Sequence, residues 1–247
     1  MARSISKRKD RFATPVVKDK FIAEKETRLK SFVPTESQKQ LLNTIRENTI
    51  TFTDSPAGTG KSSAVLWHFC KEYFQDTTKQ IMVIRTPAEY SDDKIGFLPN
   101  GVDAKLEPHF ASAKAILEDF LGKGRVEADM DKRIHFKVPN YMLGCTLDNY
   151  LVLVDEAQML SPAVLKLILE RIGQGATVVV AGDSNQLFDA KGGRRNALAD
   201  AIDRFFIEDE EGYVTPRYEN IGFHSFGVDE IMRSDIVKTV VRAYRGE

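Results

Sequence analysis

Lys61 and Ser62 end the run Ser55-Pro56-Ala57-Gly58-Thr59-Gly60-Lys61-Ser62. A cation and a hydroxyl that close a glycine-bearing turn are the groups needed to hold a polyphosphate. Glycines let backbone N–H groups approach phosphate oxygens closely, and a helix N-terminus behind them adds partial positive charge. Lys61 supplies a full charge, and Ser62 can place its hydroxyl on Mg²⁺. Ser63 follows in the same first helical turn. The flanks fit this reading: 49–54 predicts a buried strand and 62–74 a helix, the strand–loop–helix context such a loop requires. One position departs from the usual pattern, which begins with Gly where this chain has Ser55. Serine fits there if its φ is negative, or if its hydroxyl helps to close the loop. The alternative is an ordinary glycine-rich turn before a helix.

Two further segments place carboxylates and an amide where they could act on the same phosphates. Leu151-Val152-Leu153-Val154 is a continuous apolar run, as in a buried parallel strand, and it ends in Asp155-Glu156-Ala157-Gln158. Residues beyond the carboxyl end of such a strand face the ligand crevice. Asp155 is then expected to join Ser62 in holding Mg²⁺, and Glu156 to orient or deprotonate an attacking water. The acid pair favours hydrolysis over transfer to a metabolite; the alternative is a solvated acidic helix cap. Ala176 to Ala181 is a second buried-strand pattern, ending in Gly182-Asp183-Ser184-Asn185-Gln186. Alone, Gly-Asp is only a turn signal. On the same sheet edge, the Gln186 amide can sense a γ-phosphate or its attacking water.

Taken in order, Pro56 to Lys61, Arg85-Thr86-Pro87, Gly96-Phe97-Leu98-Pro99, Asp155 to Gln158, Arg171-Ile172-Gly173, Gly182 to Gln186 and the closing Asp229 to Val237 resemble the PhoH family. The resemblance spans about residues 32–247. It departs at Ser55, at Ser62 where Thr is usual, and at Thr86. The family is similar to the first motor domain of superfamily 1 helicases. The resemblance therefore implies an ATP-hydrolysing, Mg²⁺-dependent domain coupled to RNA or single-stranded DNA. It also implies adenine recognition by Gln38, γ-phosphate contact by Arg233 and strand binding near Arg85. Phe97 is either a base-stacking residue or a core anchor. Gln38 has a second reading: Thr35 and Gln38 have the spacing of a capping box. Arg171 either caps its helix as a terminal cation or points outward to a neighbour. A lone motor domain has half of a two-domain cleft, which argues for self-association, with a six-membered ring as the expected form and open dimers as the alternative.

The elements that must position these groups alternate in type. Helices are expected at 36–47, 62–74, 103–121, 161–171, 194–206 and 234–244. Strands are expected at 49–54, 80–85, 151–155, 177–181 and 219–225, with a hairpin around 133–138 and another within the loop at 208–218. Alternating strands and helices predict an α/β fold: a P-loop NTPase, with a RecA-like parallel sheet covered by helices on both faces. The 42% hydrophobic content suffices for one core. Net charge is only −1, but residues 1–30 hold ten Lys/Arg against four Asp/Glu, and the remainder 25 against 32. Two regions are thus expected, a basic arm at 1–30 and an ATPase domain at 31–247. The arm is either a nucleic-acid contact or a solubilising tail. Cys70 and Cys145 have no metal-ligand spacing, and Cys70 is expected in the core. No apolar run approaches the ~18 residues of a membrane span, so a cytoplasmic protein without membrane contact is expected. A nucleic-acid-dependent ATPase stands first among the functions. A nucleotide-switched regulatory ATPase acting on protein partners stands second.

Overall fold

Side chains alternate across a strand, and here both sets are apolar, so each strand needs cover on two faces. The computed structural model describes residues 29–86, 101–139, 142, 144–186 and 196–246. It contains β1 (Ile50–Asp54), β2 (Gln80–Ile84), β3 (Ile134–Lys137), β4 (Tyr150–Val154), β5 (Thr177–Gly182) and β8 (Ile221–Ser225) in one sheet of order β3-β2-β4-β5-β1-β8. Every pairing in it is parallel. On one face Ile81, Val83, Leu151, Leu153, Val179 and Ala181 pack under α1 (Glu36–Glu47), α2 (Lys61–Gln75), α3 (Gly101–Leu121) and α4 (Lys123–Asp129). On the other, Met82, Ile84, Val152, Val154, Val178 and Val180 pack under α5 (Pro162–Leu169) and α6 (Ala197–Phe205). The expected α/β architecture, with helices on both faces, is the one observed. Cys70 is buried in the first of these cores, and burial pushes its thiol pKa up.

The segment around 133–138 departs from expectation. It forms β3, which pairs in parallel with β2 at the sheet edge and not in a hairpin. The preceding residues fold into α4, which delivers the chain back to the amino edge of the sheet. There Arg133 pins it: its guanidinium donates to the carbonyls of Tyr73, Asp76 and Lys79, and its own carbonyl accepts from Ile81 N at 2.8 Å. The expected hairpin is present as antiparallel β6 (Phe206–Glu208) and β7 (Val214–Pro216), but its first strand begins at Phe206, where the helix expected over 194–206 stops one residue short.

The final helix, α7 (Asp235–Arg245), differs from the rest. None of its residues is buried, and Ile236, Val240 and Tyr244 are exposed along its outer side. Its inner side is held by ion pairs, Arg242 to Asp229 at 2.5 Å and Arg245 to Asp183 at 3.2 Å. Among the described residues, no helix is long and apolar enough to cross a membrane. Of the basic arm only Leu29 and Lys30 lie within the described residues. Lys30 is tied to α3 through Asp119 at 2.7 Å.

Candidate functional site

Parallel register brings the motif-bearing ends of three strands to one edge. Asp54 lies opposite Gly182 on one side and Ser225 on the other, while Val154 lies opposite Ile84 and Val180. One residue later, Ser55 N donates to Gly182 O at 3.0 Å and Asp155 N to Ile84 O at 2.9 Å. Ser55, Asp155 and Asp183 therefore emerge side by side. Asp54 strengthens the junction, since its carboxylate accepts from both the N–H and the hydroxyl of Ser184.

Both expectations for Ser55 hold. Its φ is not positive, and its hydroxyl bonds to Pro56 O at 2.9 Å and to Thr59 Oγ1 at 2.7 Å across the turn. Gly58 and Gly60 have φ of +94° and +75°, where a side chain would be strained. A Cβ on Gly60 would also meet the Gln38 amide at 2.7 Å. Lys61 and Ser62 then start α2, with Lys61 buried and Ser62 half-buried. Lys61→Ala should remove nucleotide binding in a fluorescent-nucleotide titration while leaving the thermal transition near its wild-type position. Affinity unchanged by that substitution would take Lys61 out of the site.

Ser62 Oγ lies 3.2 Å from Asp155 Oδ1, which closes the gap between the phosphate loop and β4. Asp155 is buried. Desolvation, and then the charge of Glu156, push its carboxyl above the ordinary value, while Arg85, Lys61 and the Ser62 hydroxyl act the other way. A buried carboxylate held at that cost beside a hydroxyl is the donor set a hard divalent cation uses, so Ser62 and Asp155 fit Mg²⁺.

Glu156 occupies the left-handed region, φ 54° and ψ 45°, which is unusual for a non-glycine residue and characteristic of constrained sites. Its carboxylate takes 2.6 Å from Gln158 Nε2 and 3.3 Å from the Arg85 guanidinium. Gln158 also donates to Gln186 Oε1 at 3.2 Å and accepts from Asp183 N at 3.2 Å; Gln186 Nε2 donates to Asp183 Oδ2 at 3.2 Å. Gln186 thus lies within reach of Glu156 through a single residue. Gln158 stands in a motif with no role legible from its type, and its 3% exposure in so polar a setting is not foreseeable from type alone.

The remaining candidates divide. The Arg233 side chain lies over the phosphate loop: a Cβ on Gly58 would meet its Cδ at 2.9 Å, and the adjoining Met232 N donates to Gly58 O at 2.9 Å. Gln38 completes the capping box, Thr35 N donating to Oε1 at 3.0 Å and Gln38 N to Thr35 Oγ1 at 3.3 Å. Its Nε2 is further committed to Thr59 O at 2.9 Å, so an adenine would have to compete with bonds that tether α1 to the loop. Arg171 lies past the end of α5, where its carbonyl accepts from Leu147 N ahead of β4. That is the amino edge of the sheet, the pole opposite the phosphate loop. Arg85, assigned by resemblance to strand binding, is turned toward Glu156 and also donates to His109 O and Ser112 Oγ. Pro87 and Gly96 to Pro99, Phe97 included, lie outside the described residues. Among the described residues, no cluster of His, Cys, Asp and Glu could hold a metal by itself.

A parallel α/β sheet with a phosphate loop after one strand and an acid pair after another defines a P-loop NTPase domain. The PhoH family profile, described as "PhoH-like protein", matches residues 32–245, and the chain belongs to that family. It is 29% identical to a PhoH-like protein of Synechocystis sp. over 84% of this chain and 60% of that one. It is also 29% identical to Protein PhoH of Escherichia coli K12 over 85% and 56%. The chain thus spans little more than half the length of these curated relatives. Among solved structures it is similar to a bacteriophage large terminase, with TM-score 0.46 and 10% identity over 86% of this chain and 50% of that one. That likeness adds nothing to the fold already described.

Proposed function

We propose that the chain hydrolyses ATP with Mg²⁺ and couples hydrolysis to RNA or single-stranded DNA. The observation that carries the hydrolytic part is the meeting of Ser62 with Asp155 at 3.2 Å beside Glu156. Lys61 and the loop N–H groups bind the β- and γ-phosphates. Ser62 and Asp155 would hold Mg²⁺, which offsets charge on the phosphate oxygens. Glu156 accepts a proton from water as the water oxygen bonds to the γ-phosphorus and the bond to the ADP oxygen breaks. Gln186 orients that water, and Arg233 offsets charge on the γ-phosphate.

Coupling to nucleic acid is supported by the resemblance to helicase motors and by the charge asymmetry between residues 1–30 and the rest. Phosphate release measured with and without single-stranded RNA and DNA tests it directly. Stimulation by either supports the reading, and equal rates favour the regulatory ATPase that acts on protein partners. Deleting residues 1–30 should weaken nucleic-acid binding and flatten its salt dependence, because each phosphate neutralised by a basic side chain releases a counterion. An unchanged slope of log affinity against log salt would make the arm a tail only. We also infer self-association, with Arg171 supplied to a neighbouring phosphate site.

A further inference from the structure

Arg245, at the end of α7, belongs to none of the sequence motifs, yet its guanidinium reaches Asp183 at the edge of the site. The pair is 3.2 Å apart, with side chains 17% and 8% exposed. Asp183 also accepts from Asn185 N at 3.1 Å and from Gln186 Nε2 at 3.2 Å. These bonds have a direction. Gln186 points its NH₂ at Asp183, so its oxygen faces Gln158 Nε2; Gln158 points its oxygen at Asp183 N, so its NH₂ faces both Gln186 and Glu156. The Asp183 carboxylate therefore sets the orientation of the Gln186 amide, whose oxygen then meets the NH₂ of Gln158, and that NH₂ also holds the Glu156 carboxylate. A buried carboxylate stripped of its cation is strongly disfavoured and moves toward water. That movement takes Oδ2 away from Gln186 Nε2 and leaves the amide without its acceptor. A flipped Gln186 would then set NH₂ against NH₂ at Gln158.

We propose that Arg245 is a positioning residue for hydrolysis: by pairing with Asp183 it fixes the Gln186–Gln158–Glu156 chain that aims the water-activating carboxylate. This rests on the ATPase reading above. The role is separable from folding, because no residue of α7 is buried. Arg242 on the same helix pairs with the exposed Asp229 and serves as the comparison.

The test is steady-state phosphate release and fluorescent ATP-analogue affinity for Arg245→Ala, Arg245→Lys, Arg242→Ala, Gln186→Ala and Arg245→Ala/Gln186→Ala. Arg245→Ala should lower kcat about tenfold, the scale of a lost charge-assisted hydrogen bond, with KM and analogue affinity within about twofold. Arg245→Lys should recover much of the loss and Arg242→Ala should show none. The double variant should be no slower than Gln186→Ala, since both act through one chain. Unchanged kcat in Arg245→Ala, an equal loss in Arg242→Ala, or additive losses would overturn the proposal. If the wild-type chain binds nucleotide without hydrolysing it, the ATPase reading fails separately. Side-chain amide NMR then decides the Arg245 claim: the Gln158 and Gln186 signals should move in Arg245→Ala and stay put in Arg242→Ala, and unmoved signals would sink it.

Discussion

Glu156→Gln should bind ATP with near wild-type affinity and turn it over about 10²–10⁴-fold more slowly, the usual contribution of a positioned general base. The substitution keeps the size of the side chain and removes only its capacity to take a proton. Affinity should survive because the groups proposed to hold the phosphates, Lys61 and the loop N–H donors, lie on another strand's loop and need nothing from Glu156. The local geometry places the expected loss toward the upper end of that range. Both Glu156 oxygens face donors, Gln158 Nε2 at 2.6 Å and the Arg85 guanidinium at 3.3 Å. A glutamine amide can satisfy only one of them, and its NH₂ must confront the other, so the side chain will turn from its present position. Phosphate release under saturating ATP, paired with nucleotide titration, reads both quantities. Equal turnover by the two proteins would remove Glu156 from the mechanism.

The parts of this site that could be read from the chain are those written in short spans. The phosphate loop is eight consecutive residues, and its strand and helix flank it directly. Apolar runs such as Leu151 to Val154 announce strands covered on both faces, and the acids at their ends follow at once. What escaped were partnerships fixed by the sheet order. Arg85 meets Glu156 across 71 positions because β4 inserts beside β2, and Arg245 meets Asp183 across 62. Nothing in either arginine's neighbours signals a carboxylate so distant in sequence. The strand at β3 is legible in its alternation, but its parallel partner is not, for a related reason. The alternation of 133–138 fits an edge strand of either direction, and it is the turn made by α4 that selects the parallel one. Gln38 shows the converse. Its local capping signal was sound, and the tether to Thr59 appeared only when α1 was packed against the loop.

Arg171→Ala should retain ATP affinity and lose about 10³-fold or more in turnover, the scale of a transferred-phosphate arginine, if the site is shared between subunits. Its position is the reason to expect sharing. Arg171 lies at the amino edge of the sheet, whereas the phosphate loop lies at the carboxyl edge, so the residue cannot serve its own subunit's nucleotide. Arg233 is the opposite case: its side chain rests against Gly58 of its own loop. Arg233→Ala should also slow turnover, but within each subunit. Mixing separates the two. Arg171→Ala combined with Lys61→Ala should regain activity, because an interface that joins the sound loop of one to the sound arginine of the other is complete. Random assembly of equal amounts makes roughly a quarter of the interfaces so. Arg233→Ala mixed with Lys61→Ala should regain none, since every subunit then carries a defective site. The measurement is phosphate release from mixtures equilibrated with ATP and nucleic acid, with light scattering to report mass. A chain that remains monomeric under those conditions and still hydrolyses at the full rate leaves no place for a donated arginine, and Arg171 would then be a helix-terminal cation.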